Sequence, residues 1–264
     1  MIRVTDLKKS YGPVQALGGV SLHIAPGEVL GLLGANGSGK TTLNRCIATL
    51  IQADEGQIEV GGHCSRTAPN EVRQRLGYLA EYPILYPSLS AEEFLAFVGG
   101  LRDLSVEEAR EQADRWLALF ELTEAAKKPM RGYSQGMGRK VALAAALLGE
   151  PQAVLLDEPT NGLDPPSVYL FRKVIERLRE QNRAVLLSSH VLPLVQQACD
   201  RIAVLVEGRI VARGTLDELR AAADRPGADL EALFLHFSGL DREMLQRLAD
   251  AGLSEGPGVP VPAP

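Results

Sequence analysis

Apolar and polar positions alternate near the start of the chain: Ile2 and Val4, then Val20, Leu22 and Ile24, repeat at the two-residue period of a half-buried strand. Pro26-Gly27 turns the chain into an unbroken apolar run at residues 29–33, which predicts a further strand. The period then changes. After a glycine-rich turn, Leu43, Ile47 and Leu50 fall at helical spacing, and Ile58 with Val60 opens another strand behind the turn Asp54-Glu55-Gly56.

From about residue 90 to residue 149 the pattern is helical. Ser90 with Glu93 and Ser105 with Glu108 each place a hydroxyl three residues ahead of a glutamate, the arrangement that caps a helix start, and Ala109, Ala113, Trp116 and Phe120 are predicted to line one helix face. Strand and helix signals then alternate again, with strands predicted at residues 153–156 and 184–187, a helix after Pro165, and a hairpin around Glu207-Gly208. Thr215 with Glu218 predicts one more capped helix, and Leu230, Leu233, Phe234 and Phe237 an amphipathic one. Residues 254–264, SEGPGVPVPAP, lack the large apolar side chains needed to pack and are expected to be mobile. The order predicts an α/β core with a helical insertion.

Composition narrows the function classes. With 264 residues, 45% of them hydrophobic, the chain can bury a substantial core. Its net charge of −5, with no run of five or more Lys and Arg, argues against a nucleic-acid binder. Cys46, Cys64 and Cys199 are odd in number and widely spaced, which fits a reducing compartment better than a disulfide framework or a zinc site. The first residues lack the apolar core of a signal peptide and read as mature protein. Residues 184–199, the longest stretch without Asp, Glu, Lys or Arg in the second half, are too short and too polar to cross a bilayer, so any membrane work is expected to need another chain.

Gly34-Ala35-Asn36-Gly37-Ser38-Gly39-Lys40-Thr41 matches the phosphate-loop pattern GxxxxGK[ST] and lies between a predicted strand and a predicted helix, as that loop must. Glycines let the backbone N–H groups and the helix N-terminus face phosphate oxygens, Lys40 reaches the β and γ phosphates, and Thr41 ligates Mg²⁺. Chance produces the pattern in roughly 1% of chains of this length before the flanking elements are required. The apolar strand at residues 153–156 ends in Asp157 and Glu158; behind a phosphate loop, this placement assigns Asp157 to Mg²⁺ and Glu158 to polarising the attacking water.

Five further segments, in order and spacing, resemble the motifs of the ABC transporter ATPases, a likeness covering roughly residues 1–215. Tyr11 resembles the aromatic residue that stacks on adenine. Tyr133-Ser134-Gln135-Gly136-Met137 resembles the LSGGQ signature, departing from it at Tyr133, Gln135 and Met137; the resemblance implies that Ser134 and Gly136 grip the γ-phosphate of ATP on the opposite subunit. Asn161-Gly162-Leu163-Asp164 is similar to the D-loop at the dimer interface, and His190 to the switch histidine at the γ-phosphate. Gly77-Tyr78-Leu79-Ala80-Glu81 takes the place of the Q-loop with Glu81 instead of glutamine, so Glu81 is an expected Mg²⁺ ligand. His23, His63 and His236 match no motif.

The resemblance implies an ABC ATPase fold of the P-loop NTPase class: a RecA-like α/β core, an N-terminal antiparallel β subdomain and a helical subdomain at about residues 85–150, together spanning residues 1–215, with a C-terminal helical extension at 216–253. It further implies ATP and Mg²⁺ as ligands, bound through Tyr11, Gly34, Asn36, Gly37, Ser38, Gly39, Lys40, Thr41, Thr42, Ser134, Gly136 and Asp164, with Glu158, His190 and Lys40 catalytic. The implied partners are a second ATP-binding subunit in a head-to-tail dimer and integral membrane permease subunits that the exposed stretch after Glu81 contacts, at the cytoplasmic face of the membrane. Glu81 with a YSxGM-type signature resembles the multidrug and antibiotic-resistance exporters; copper or cofactor maturation and lipid export are the alternatives within transport. A DNA-repair or translation ATPase is a rival because fold does not fix function, but the chain carries no second ATPase copy, long coiled-coil insertion or basic patch. Intact Lys40, Asp157, Glu158 and His190 count against a nucleotide-binding module without turnover.

Overall fold

The computed structural model describes residues 1–241, together with 247 and 250. Two sheets organise it. In the first, β1 (Ile2–Tyr11) forms a long antiparallel hairpin with β2 (Val14–Ile24), and β4 (Glu55–Val60) and β5 (His63–Cys64) extend it in the order β2-β1-β4-β5. Direct pairing of Ile2 with Ile24 and of Val4 with Leu22 puts the alternating apolar residues on one buried face, as their period predicts.

The second sheet carries the chemistry. Its strands are β3 (Val29–Leu33), β6 (Leu76–Leu79), β7 (Ala153–Asp157), β8 (Ala184–Ser188), β9 (Arg201–Val206) and β10 (Arg209–Gly214), ordered β10-β9-β3-β8-β7-β6. All neighbours are parallel except β10, which pairs back on β9 through the turn at Glu207-Gly208. Every residue of β3, β7 and β8 is buried, because a central parallel strand is covered on both faces.

Helices α1 (Lys40–Ile47) and α2 (Pro69–Arg75) precede the helical insertion, which comprises α3 (Ala91–Leu101), α4 (Val106–Leu119) and α5 (Gln135–Leu147). Both capping boxes are formed: Ser90 Oγ accepts from Glu93 N–H at 3.2 Å and Ser105 Oγ from Glu108 N–H at 3.2 Å, with each glutamate accepting from the cap residue's own N–H. Ala109 and Ala113 are buried; Trp116 is half-buried and stacks on the buried Phe120, just past the helix end, with centroids 5.7 Å apart. One expectation fails. Helix α1 stops at Ile47 because Thr49 turns left-handed (φ 57°), and Leu50 lies outside it, 62% exposed.

After α6 (Pro165–Glu180) and α7 (Leu192–Ala198), the chain ends its described part with α8 (Leu216–Ala222), capped by Thr215 and Glu218 as predicted, and α9 (Leu230–Ser238). Leu219, Leu230 and Leu233 are buried with Leu33, Val195 and Ile202, so these last helices close over the β9 side of the parallel sheet. The expected mobile tail at residues 254–264 lies outside the described residues, as does most of the extension beyond residue 241. Among the described residues no helix is long and apolar enough to cross a membrane. Truncating Leu233, 1% exposed, to alanine is expected to cost about 2–5 kcal/mol in denaturant unfolding; an unchanged midpoint would mean that α9 is not part of the packed domain.

Candidate functional site

A cavity of about 800 Å³ opens where β3 runs into α1, at the carboxyl end of the parallel strands. The phosphate loop forms its floor. Gly39 caps α1 in the left-handed region (φ 109°), and a Cβ there would stand 2.6 Å from the Ala16 carbonyl oxygen. A Cβ on Gly34 would collide with the Ser38 hydroxyl and stand 2.7 Å from the Leu205 carbonyl oxygen. These contacts explain why glycine occupies both positions, and they leave Ser38 tucked inside the loop, its hydroxyl buried without a partner.

Lys40 curls back onto the loop, donating to the carbonyl oxygens of Gly34 at 2.7 Å and Ala35 at 3.2 Å. Only 9% of its surface is exposed, and burial lowers the pKa of its ammonium while the carboxylates of Glu158, Asp157 and Glu81 pull it back up. Asp157, at the end of β7, is 1% exposed; burial raises its pKa, a hydrogen bond from Asn44 opposes that, and Glu81 and Glu158 raise it further. Asn44 is itself anchored, donating to Ser188 Oγ at 2.9 Å. Glu158 adopts a left-handed backbone (φ 47°), held by its N–H to the Ser188 carbonyl at 2.9 Å, a strained conformation of the kind that gathers at functional sites. Its Oε2 lies 2.7 Å from His190 Nδ1 and accepts from the His190 backbone N–H at 3.3 Å.

Of the residues singled out in the sequence, Gly34, Asn36, Gly37, Gly39, Lys40, Thr41, Thr42, Glu81, Asp157, Glu158 and His190 all border this one cavity. Tyr11, Ser38, Ser134, Gly136 and Asp164 do not. Tyr11 is exposed at the end of β1, with Lys9 Nζ 5.8 Å from its ring centre. Ser134 caps α5 by accepting from Met137 N–H at 3.2 Å, and Asp164 caps α6 by accepting from Ser167 N–H at 3.1 Å. The signature and the D-loop touch each other: a Cβ on Gly136 would stand 3.0 Å from the Gly162 carbonyl oxygen, and one on Gly162 2.8 Å from the Gln135 side chain.

Several participants carry no signal in a single sequence. Arg139, 4% exposed, donates to the carbonyl oxygens of Ala80 at 2.9 Å, Glu81 at 2.8 Å and Asn161 at 3.4 Å, tying the loop after β6 and the D-loop to the start of α5. Ala16, Leu192 and Phe234 also wall the cavity, the last reaching it from α9.

The oxygen donors fit a hard cation. Asp157 Oδ2 is buried without a hydrogen-bond partner, and Thr41 and Glu81 border the same space. Among the described residues no group of three or more His, Cys, Asp or Glu is placed to hold a metal ion.

A family model for the ABC transporter matches residues 17–161. The daunorubicin resistance ATP-binding protein DrrA3 of Streptomyces coeruleorubidus is 41% identical over 220 residues, covering 83% of this chain and 70% of that protein. A solved ATP-binding subunit of an ABC transporter superposes with a TM-score of 0.86 at 31% identity, covering 90% of this chain and 99% of that one. A dimeric, post-hydrolysis ATP-binding cassette bound to ADP and Pi superposes with a TM-score of 0.74 at 27% identity, covering 82% and 99%.

If Glu81 supplies an oxygen to the cation, Glu81→Gln is expected to keep most ATP turnover, whereas Glu81→Ala should lose roughly 10-fold or more and need more Mg²⁺. Mg²⁺-titrated turnover of both variants checks this, and a fully active alanine variant sinks the assignment.

Proposed function

This chain belongs to the ABC transporter family as an ATP-binding, ATP-hydrolysing subunit, and on that footing we propose that two copies, head to tail, close around two ATP molecules and drive export through separate membrane-spanning subunits. The observation carrying the proposal is the split in the candidate site. The phosphate loop, Asp157, Glu158 and His190 converge on one cavity, while Ser134 and Gly136, at the N-terminus of α5, lie outside it. A helix start with free N–H groups favours an anion, and a second copy can bring that end over the first copy's γ-phosphate.

Within each half, Gly34, Asn36, Gly37, Ser38, Gly39 and Thr42 shape the cradle, Lys40 leaves its loop carbonyls for the β and γ phosphates, and Tyr11 offers adenine a flat face. Glu158 takes a proton from the attacking water, with His190 fixing the carboxylate through the 2.7 Å contact. Thr41, Asp157 and Glu81 hold Mg²⁺, which when bound neutralises charge on the phosphate oxygens. Asp164 orders the D-loop by capping α6 and so sets the face offered to the partner copy.

The likeness to DrrA3, a daunorubicin resistance ATP-binding protein, supports export of an antibiotic-like cargo. Tyr82 and Ile84, 80% and 86% exposed directly after Glu81, supply an apolar surface for the membrane partner at the cytoplasmic face.

Glu158→Gln is expected to bind ATP, turn it over at least 100-fold more slowly, and sediment as a dimer only with ATP, because the slowed reaction leaves the bridging nucleotide in place. Adding Ser134→Arg should abolish that dimer by filling the opposite phosphate's seat. A dimer that persists in the double variant places Ser134 outside the interface.

A further inference from the structure

Asn44 and Ser188 are both fully buried, and neither borders the cavity of the phosphate loop. Asn44 lies on α1 among apolar neighbours, with Leu43, Cys46 and Ile47 buried beside it. Its Nδ2 donates to Ser188 Oγ at 2.9 Å, and the same amide is a hydrogen-bond donor toward the Asp157 carboxylate. Its Oδ1 is buried without a hydrogen-bond partner. A buried polar side chain left half satisfied destabilises a fold, and an apolar residue of similar shape would serve packing better. Asn44 therefore calls for a reason other than packing.

The three residues come from three elements that meet at the carboxyl end of the parallel sheet. Asp157 and Ser188 are register partners at the ends of β7 and β8, and α1 packs against β7. Asn44 stands three residues after Thr41 on α1, so the two share one face of that helix. Thr41 borders the cavity together with Asp157, and Asn44 follows one turn further along the helix. Through Asn44 the helix that carries Thr41 is tied to the strand end that carries Asp157. Ser188 completes the brace: its carbonyl accepts from Glu158 N–H at 2.9 Å while its hydroxyl holds the Asn44 amide. Asp157 Oδ2 meanwhile has no hydrogen-bond partner.

We propose that Asn44 is a positioning residue for the cation site: held by Ser188, its amide fixes the Asp157 carboxylate relative to Thr41 and leaves a carboxylate oxygen free for Mg²⁺. The inference rests on the reading of Thr41 and Asp157 given above, and adds to it the group that orients them. An outer partner of this kind acts on metal affinity through its grip on a ligand, and itself touches neither nucleotide nor water. A purely structural asparagine would act on stability and on the whole phosphate loop alike.

Two affinities of the full chain separate these roles. One is for Mn²⁺, a spectroscopic stand-in for Mg²⁺, read by electron paramagnetic resonance on the complex with a non-hydrolysable ATP analogue; the other is for the same analogue in EDTA. Asn44→Leu, which keeps a branched side chain without the donor, is expected to weaken Mn²⁺ binding about 10-fold or more while the EDTA affinity stays within about 2-fold of wild type. Ser188→Ala should shift Mn²⁺ binding in the same direction, and the double variant should bind it no more weakly than Asn44→Leu, because both substitutions break one contact. Asp157→Asn is the control for the site itself: if it leaves Mn²⁺ binding intact, the cation does not lie at Asp157 and the proposal falls with that reading. If Asp157→Asn weakens Mn²⁺ binding but Asn44→Leu, with a cooperative thermal transition, does not, the proposal alone is overturned. Equal loss of both affinities in Asn44→Leu would also overturn it, by making Asn44 a packing residue. Should Asn44→Leu fail to fold, Ser188→Ala decides by the same two affinities.

Discussion

An ammonium and two carboxylates are held nearly out of water at the edge of a parallel sheet, and the rest of the site is arranged around the cost of keeping them there. Lys40, Asp157 and Glu158 are each less than a tenth exposed. Burial disfavours the charged forms of Lys40 and Asp157, and the partners present are incomplete: Lys40 has only loop carbonyls, and one oxygen of Asp157 has nothing. On the proposed reading a phosphate chain would give Lys40 an anionic partner, and the glycine-shaped loop fixes where it would lie.

Around this centre the structure builds links to its surroundings through buried polar contacts. Arg139 fastens the loop carrying Glu81 to the start of α5, whose cap is Ser134, and to the D-loop at Asn161. Tyr82 and Ile84, the exposed apolar pair, follow Glu81 immediately. Glu81 is thereby tied on one side to the exposed Tyr82 and Ile84 and on the other to the start of α5 and the D-loop. On the other side, Phe234 brings α9 to the cavity wall, so the C-terminal helices share a boundary with that cavity.

What the sequence made legible was local. The phosphate loop is eight consecutive residues whose spacing is itself the geometry, and the capping boxes close within four residues. The alternation in β1 and β2 was readable because the strand period puts those residues on one face. Partners distant in the chain were not. Asn44 meets Ser188 across 144 positions and Arg139 meets Ala80 across 59, and nothing in an asparagine on a helix or an arginine after a signature reveals such a partner. Leu50 was misplaced because periodicity cannot see that Thr49 leaves the helical conformation. Roles that need a second chain, those of Ser134, Gly136 and Asp164, came from family resemblance and not from spacing.

The central claim is that one copy supplies the phosphate loop and another the signature of each working site. Mixing two inactive variants tests it most directly. A Lys40→Ala chain lacks the lysine but keeps its signature, and a Ser134→Arg chain has its signature blocked but keeps the phosphate loop. In a mixed dimer one site is intact, so ATP turnover should reappear on mixing although each variant alone is inactive. Mixed dimers that form, as judged by differential labelling, yet remain as inactive as either parent would contradict the account.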